Sequence, residues 1–160
     1  MKQAKKIITR MLLNNWGGIS HRMMEFHEYV NLFSGKSGSG KSTVMDAIQV
    51  VLYGSMSASF LNKAADDAKN RRSVMSYLRG EQKDGTANRG GQDFGSTLVL
   101  EIKDTGNGIT TCFGVLFEIG KADTDINGKY TFFSHSGSMP EDEYLEEGGI
   151  PYSRGRMKKL

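Results

Sequence analysis

A chain of 160 residues is long enough for one domain with its own core and too short for two ordinary ones. Its 21 Lys plus Arg against 18 Asp plus Glu leave a formal charge of +3, which excludes the heavy basic excess of a dedicated nucleic-acid binder, and its single cysteine, Cys112, excludes an internal disulfide. No run approaches membrane-spanning length, and Thr9, Arg10, Asn14 and Asn15 interrupt the start too often for a signal peptide. The expectation is a cytoplasmic protein with no membrane partner.

Residues 7–13, "IITRMLL", are rich in strand formers, and Gly17-Gly18 is a turn signal before "RMMEFHEYVNLF" (residues 22–33), which predicts a second strand and a third around a bend near His27. A glycine loop follows. After it, Val44, Ala47, Ile48, Val51 and Leu52 recur at the spacing of one helix face, and Gly54 stands where a helix C-cap glycine belongs. Helical stretches are expected within residues 61–69 and 71–78, then a flexible surface loop over residues 80–96, which holds five glycines. "TLVLEIK" (97–103), "CFGVLFEI" (112–119) and "YTFFS" (130–134) alternate like half-buried strands, with Asn127-Gly128 as a hairpin turn. They read as an antiparallel meander. Residues 136–160 change character, acidic in "PEDEYLEE" and basic in "YSRGRMKKL", and are expected to form a charged tail outside a lobe of residues 1–135.

The glycine loop carries the chemistry. Gly35, Lys36, Ser37, Gly38, Ser39, Gly40, Lys41 and Ser42 match G-x-x-x-x-G-K-[ST] in full. The glycines let the backbone bend sharply and aim its N–H groups inward, where a side chain would block the phosphate. The helix that starts near Lys41 adds its dipole and free N–H groups. Lys41 is placed to reach the β- and γ-phosphates, and the Ser42 hydroxyl to ligate Mg²⁺. The cofactor expected here is ATP with Mg²⁺.

Hydrolysis needs an acid at the end of a buried strand as well. The candidates are Glu101 and Glu118, and both belong to alternating hairpin strands rather than to a continuously apolar parallel one. His21, His27 and His135 have no metal-ligand spacing with Cys112. Lys69, Arg71, Arg72 and Arg79 suit either DNA phosphates or a solvated helix face, diluted by Asp66, Asp67 and Glu81.

With its strand pair, phosphate loop and Asp46-Ala47-Ile48 helix in that order, the chain resembles the amino-terminal half of an SMC-type ABC ATPase head. The stretches "FLNKAADD" and "RSVMSYLRG" make it similar to the MukB-like branch, including the JetC-like proteins of Wadjet anti-plasmid systems; the likeness covers residues 7–135. It implies an α/β P-loop NTPase fold with an antiparallel β layer. It also implies that residues 35–42 bind the triphosphate, Thr43 borders the α-phosphate, and Arg79 approaches phosphate or DNA beside the site. Asn15 and Trp16 fall where the family packs the adenine, although core packing suits Trp16 better. Such heads are split: a coiled coil leads to a carboxy-terminal lobe holding the signature and the acidic strand, and none of these is evident here.

Three functions are therefore expected, in order. The first is an ATP-binding lobe of a DNA-acting SMC/MukB-like ATPase, for chromosome organisation or anti-plasmid defence. Its hydrolysis needs a carboxy-terminal lobe and a second head, a homodimer in the longer protein, with kleisin-like subunits and DNA as further partners. The second is a self-sufficient small NTPase or kinase using Glu101 or Glu118. The third is a truncated, non-catalytic nucleotide-binding module.

Overall fold

The first strand pattern folds as β1 (Lys6–Trp16), which turns through Gly17 and Gly18 into β2 (Ile19–Glu25). The structure, a computed structural model, describes residues 3–28, 31, 40–57, 61 and 73–160. The strand expected to feed the glycine loop, loop residues 35–39 and the helical stretch at 62–69 lie outside the described residues.

The meander read from the sequence is present as β3 (Phe94–Asp104), β4 (Thr110–Ile119) and β5 (Tyr130–Ser136), each antiparallel to the next. Less visible in the sequence is the long-range pairing of β1 with β3, which places Leu13 opposite Leu98 and Met11 opposite Leu100. The result is one antiparallel sheet of five strands in the order β2-β1-β3-β4-β5.

Both faces of this sheet are covered, because alternate residues of the central strands are apolar on each side. On one face Met11, Leu13, Leu98, Leu100, Val115 and Phe117 pack against α1 (Lys41–Tyr53) and α2 (Val74–Arg79). On the other, Leu12, Val99, Cys112 and Leu116 pack against Met139, Tyr144, Tyr152 and Met157. Trp16 joins the helix-side core although Asn14, two residues earlier, faces the other way. Asn15 between them takes a left-handed backbone (φ 55°) that interrupts the alternation, and its side-chain amide donates to the Gly95 carbonyl at 2.8 Å.

Three expectations meet a different structure. Val44, Ala47, Ile48 and Val51 of the predicted α1 stripe pack on the core, but Leu52 is left half exposed and Asp46 and Val50 are buried beside them. Residues 80–93 form hydrogen-bonded turns ahead of β3, which starts at Phe94, where a flexible loop to residue 96 was expected. Residues 136–160, expected as a charged tail, pack on the sheet instead. A short hairpin of β6 (Leu145–Glu146) and β7 (Ile150–Pro151) leads to α3 (Arg154–Met157), whose first turn Ser153 caps through the Arg156 N–H. The charges are at the surface while Tyr144, Tyr152 and Met157 between them face inward, a pattern that net charge conceals.

Candidate functional site

Helix α1 begins where the glycine motif ends. Gly40 is its N-cap with φ 93° and no side-chain cap, a backbone conformation that favours glycine, and Lys41, Ser42 and Thr43 make the first turn. The leading N–H groups of a helix have no partner within it. Here the first turn carries no acidic residue to compete for them, and the helix dipole adds positive potential. Ser42 is exposed and Lys41 and Thr43 half buried beside it. This donor set fits a triphosphate with Mg²⁺: Gly40 to Thr43 offer N–H groups, Lys41 a cation and Ser42 a hydroxyl for the metal. The remaining predicted phosphate-loop residues, Gly35 to Ser39, lie outside the described residues.

The first turns of α1 are held by groups that motif reading passes over. The Trp16 indole donates from Nε1 to the Thr43 carbonyl at 2.9 Å, and its ring stacks on Tyr77 with centroids 4.7 Å apart and 13° between planes. The Tyr77 hydroxyl donates to the Asp46 carboxylate, which is buried on α1. Trp16, completely buried, therefore packs as core, its ring taken up by Tyr77 and not by the adenine contact that the resemblance implied. Asn15 is likewise committed to Gly95. A polar residue inside an apolar helical pattern was the available signal for Asp46. Nothing local marks Tyr77.

The turn after β1 is locked to the far end of α2. Gly17 donates its N–H to the Tyr77 carbonyl at 2.7 Å, and a Cβ on Gly17 would stand 2.7 Å from the Thr43 methyl. Gly80, the left-handed C-cap of α2, approaches so closely that a Cβ there would lie 2.7 Å from the Gly17 carbonyl oxygen. Arg89 crosses this junction, donating from Nε to the Leu78 carbonyl at 2.6 Å and from Nη2 to those of Gly17 and Tyr77 at 2.6 and 3.2 Å. Burial lowers its pKa to about 10, which still leaves it cationic at neutral pH.

Arg79 is placed differently from the role the family implies. Its guanidinium is buried and donates to the carbonyls of Arg89, Gln92, Gly120, Lys121 and Asp123, at 2.7 to 3.4 Å, beneath the Phe94 ring. It joins residues 89–92 to the turn after β4. The five carbonyls take up both Nη groups, so a two-pronged phosphate contact through them would need the side chain released.

The two candidate acids also separate. Glu101 is buried and accepts from Arg10, from the Thr9 hydroxyl at 2.9 Å and from the Met139 N–H at 3.0 Å. Burial alone would raise its pKa, yet these hydrogen bonds outweigh it and hold the carboxyl below its ordinary range. It lies on the sheet face opposite α1, since its neighbour Leu100 faces the helix. Glu118 is exposed.

Residues 8–68 match a family described as the P-loop containing region of AAA domain. Over 74 residues the chain is 37% identical to the C subunit of the nuclease SbcCD from Staphylococcus haemolyticus (strain JCSC1435). That stretch is 44% of this chain and 6% of the relative, so the chain spans a small part of the protein it matches. No helix among the described residues is long and apolar enough to cross a membrane. The glycine motif, the helix that follows it and the family match agree on a P-loop region over the first part of the chain.

Proposed function

We propose that the chain is the ATP-binding amino-terminal lobe of an SMC-type, MukB-like ATPase head, and that hydrolysis needs a carboxy-terminal lobe and a second head. One observation carries the reading: a helix N-terminus begun by a left-handed Gly40, with no acidic residue in its first turn, places Lys41 and Ser42 at the start of α1 over an antiparallel layer. Bound Mg-ATP would supply the phosphoryl bond to be broken. This lobe's share is to seat the triphosphate on the Gly40 to Thr43 N–H groups, neutralise it with Lys41 and offer Ser42 to the metal. The commitment of Glu101 to Arg10 supports the half-site reading over a self-sufficient NTPase, because a carboxylate in a structural ion pair on the far face is a poor Mg²⁺ acid. A role on DNA, in chromosome organisation or plasmid defence, rests on the SMC resemblance and on the match to part of a nuclease.

The test measures binding and turnover on the same preparation. Calorimetry is expected to show Mg-ATP binding that Lys41→Ala abolishes, and phosphate release at background with or without DNA. Completion of a phosphoryl-transfer site by an opposing head is typically worth about 10³-fold in rate. Activity should therefore appear only when a carboxy-terminal lobe is supplied. Robust turnover by the chain alone, lost in Glu118→Gln or in a folded Glu101→Gln, would return the proposal to a complete small NTPase.

A further inference from the structure

The two anchors on α1 fall within its first two turns, immediately after the residues that meet the triphosphate. Trp16 Nε1 holds the Thr43 carbonyl at 2.9 Å, and the Tyr77 hydroxyl holds Asp46 one turn further on. A single anchor would let the helix rotate about its contact. Two anchors nearly a turn apart set both its rotation and its position along the axis. The anchoring rings are themselves fixed: they stack at 4.7 Å, Gly17 bonds the Tyr77 carbonyl, and the buried Arg89 guanidinium closes the junction by gripping Gly17, Tyr77 and Leu78.

We infer that Trp16 and Tyr77 are positioning residues for the nucleotide. They form a brace that holds the start of α1 in the orientation that aims the Lys41 and Ser42 side chains and the leading N–H groups at the phosphates. The inference rests on the ATP-site reading above and adds to it which residues set the site's geometry. The brace couples in both directions, because a helix pulled towards a bound phosphate strains or tightens the same two hydrogen bonds. Trp16, as the chain's one tryptophan, therefore senses nucleotide without touching it. Preorganisation of this kind matters because an anion site built from backbone N–H groups loses strength once their common aim is lost.

The experiment uses the full chain and Mg-ATP, with three readouts: calorimetric affinity, thermal melting and the indole N–H resonance of Trp16. In the wild type, Mg-ATP is expected to bind and to shift the indole resonance. Tyr77→Phe keeps the stacked ring and loses the hydroxyl, and should weaken Mg-ATP binding about tenfold, the loss of one hydrogen bond to a charged group, while the chain remains folded. Tyr77→Trp, whose ring also lacks an oxygen at that place, should not restore affinity, whereas a tyrosine analogue fluorinated on the ring, which keeps the hydroxyl, should.

The outcomes separate the two proposals. Absence of binding in the wild type sinks the ATP reading and the brace with it. Binding that Lys41→Ala abolishes, with wild-type affinity in a folded Tyr77→Phe and no indole shift, overturns the brace and leaves the site standing. Should Tyr77→Phe fail to fold, the wild-type indole decides alone, and an unmoved resonance at saturating Mg-ATP rejects the brace.

Discussion

Arg10 grips Glu101 with a two-pronged pair across β1 and β3, Nε to Oε1 at 3.0 Å and Nη2 to Oε2 at 2.6 Å, and the same carboxylate accepts the Met139 N–H at 3.0 Å. One buried charge thus joins the first strand, the central strand and the carboxy-terminal segment. The guanidinium pKa is raised by its bond to Glu101, as expected for mutual stabilisation.

Removing that carboxylate strands Arg10 and the Met139 N–H, while the Thr9 hydroxyl keeps the Glu101 backbone carbonyl at 3.1 Å. Arg10 is 30% exposed and can recover some hydration, so Glu101→Ala is expected to cost about 2–3 kcal/mol, at or just below the low end for a broken buried pair. At roughly 2–4 °C per kcal/mol for a chain of this size, melting should fall by about 4–12 °C. The pH dependence has a definite sign. Glu101 titrates below its ordinary 4.5 in the folded chain, so its stabilisation is complete above that value and is lost as pH falls through the lower folded pKa. The gap in stability between wild type and Glu101→Gln should therefore narrow on acidification below about pH 4.5. A gap constant from pH 7 to pH 3 rejects the assignment.

Arg79→Lys is expected to destabilise nearly as much as Arg79→Ala, by roughly 2–4 kcal/mol. A lysine ammonium cannot span carbonyls that a planar guanidinium reaches from both ends. Chemical denaturation of the two variants checks this. Near-wild-type stability in either, combined with lost nucleotide affinity, would instead favour the phosphate-facing role that the SMC resemblance implied.

Tyr144 is fully buried, packs on Phe133 and Tyr152, and is hydrogen-bonded to His135 at 2.6 Å. Its truncation to alanine should cost about 3–5 kcal/mol, the range for a large buried ring. Removal of residues 136–160 uncovers Leu12, Val99 and Leu116 together and is expected to give an aggregation-prone chain. Size-exclusion chromatography of the truncated chain tests the claim, and a well-behaved monomer contradicts it.

Cys112 lies in the same layer, completely buried, and burial pushes its thiol up to about 11. Near pH 8 that leaves about 100-fold less thiolate than an ordinary thiol would have, before access is considered. Labelling by a thiol reagent should accordingly be slow in buffer and fast in denaturant. Rapid labelling of the folded chain would show that the second layer is open.

Gly17→Ala tests the closeness of the β1–β2 turn to α1. The residue has φ 58° and its new methyl would meet Thr43 at 2.7 Å, so a loss of about 1–2 kcal/mol is expected, with weakened Mg-ATP binding. Unchanged melting and affinity would mean that the turn does not press on the helix.

The sequence by itself determined the local parts. The G-x-x-x-x-G-K-S pattern, the helix after it, the Gly54 cap and the three-strand meander were legible because each depends on residues within a few positions of one another. Tertiary structure decided what those parts meet. The bond of Tyr77 to the buried Asp46 and the capture of Glu101 by Arg10 join residues 31 and 91 positions apart, and the stacking of Trp16 on Tyr77 is as distant, which no local period encodes. Arg79 shows the difference most plainly. Its position after a short helix suited a phosphate contact as well as a solvated face, and the fold gave it neither, because unpaired backbone carbonyls from two turns needed a buried donor there. The charged carboxy-terminal segment misled for a related reason: composition averages over side chains, whereas burial at Tyr144, Tyr152 and Met157 depends on the face each presents to the sheet.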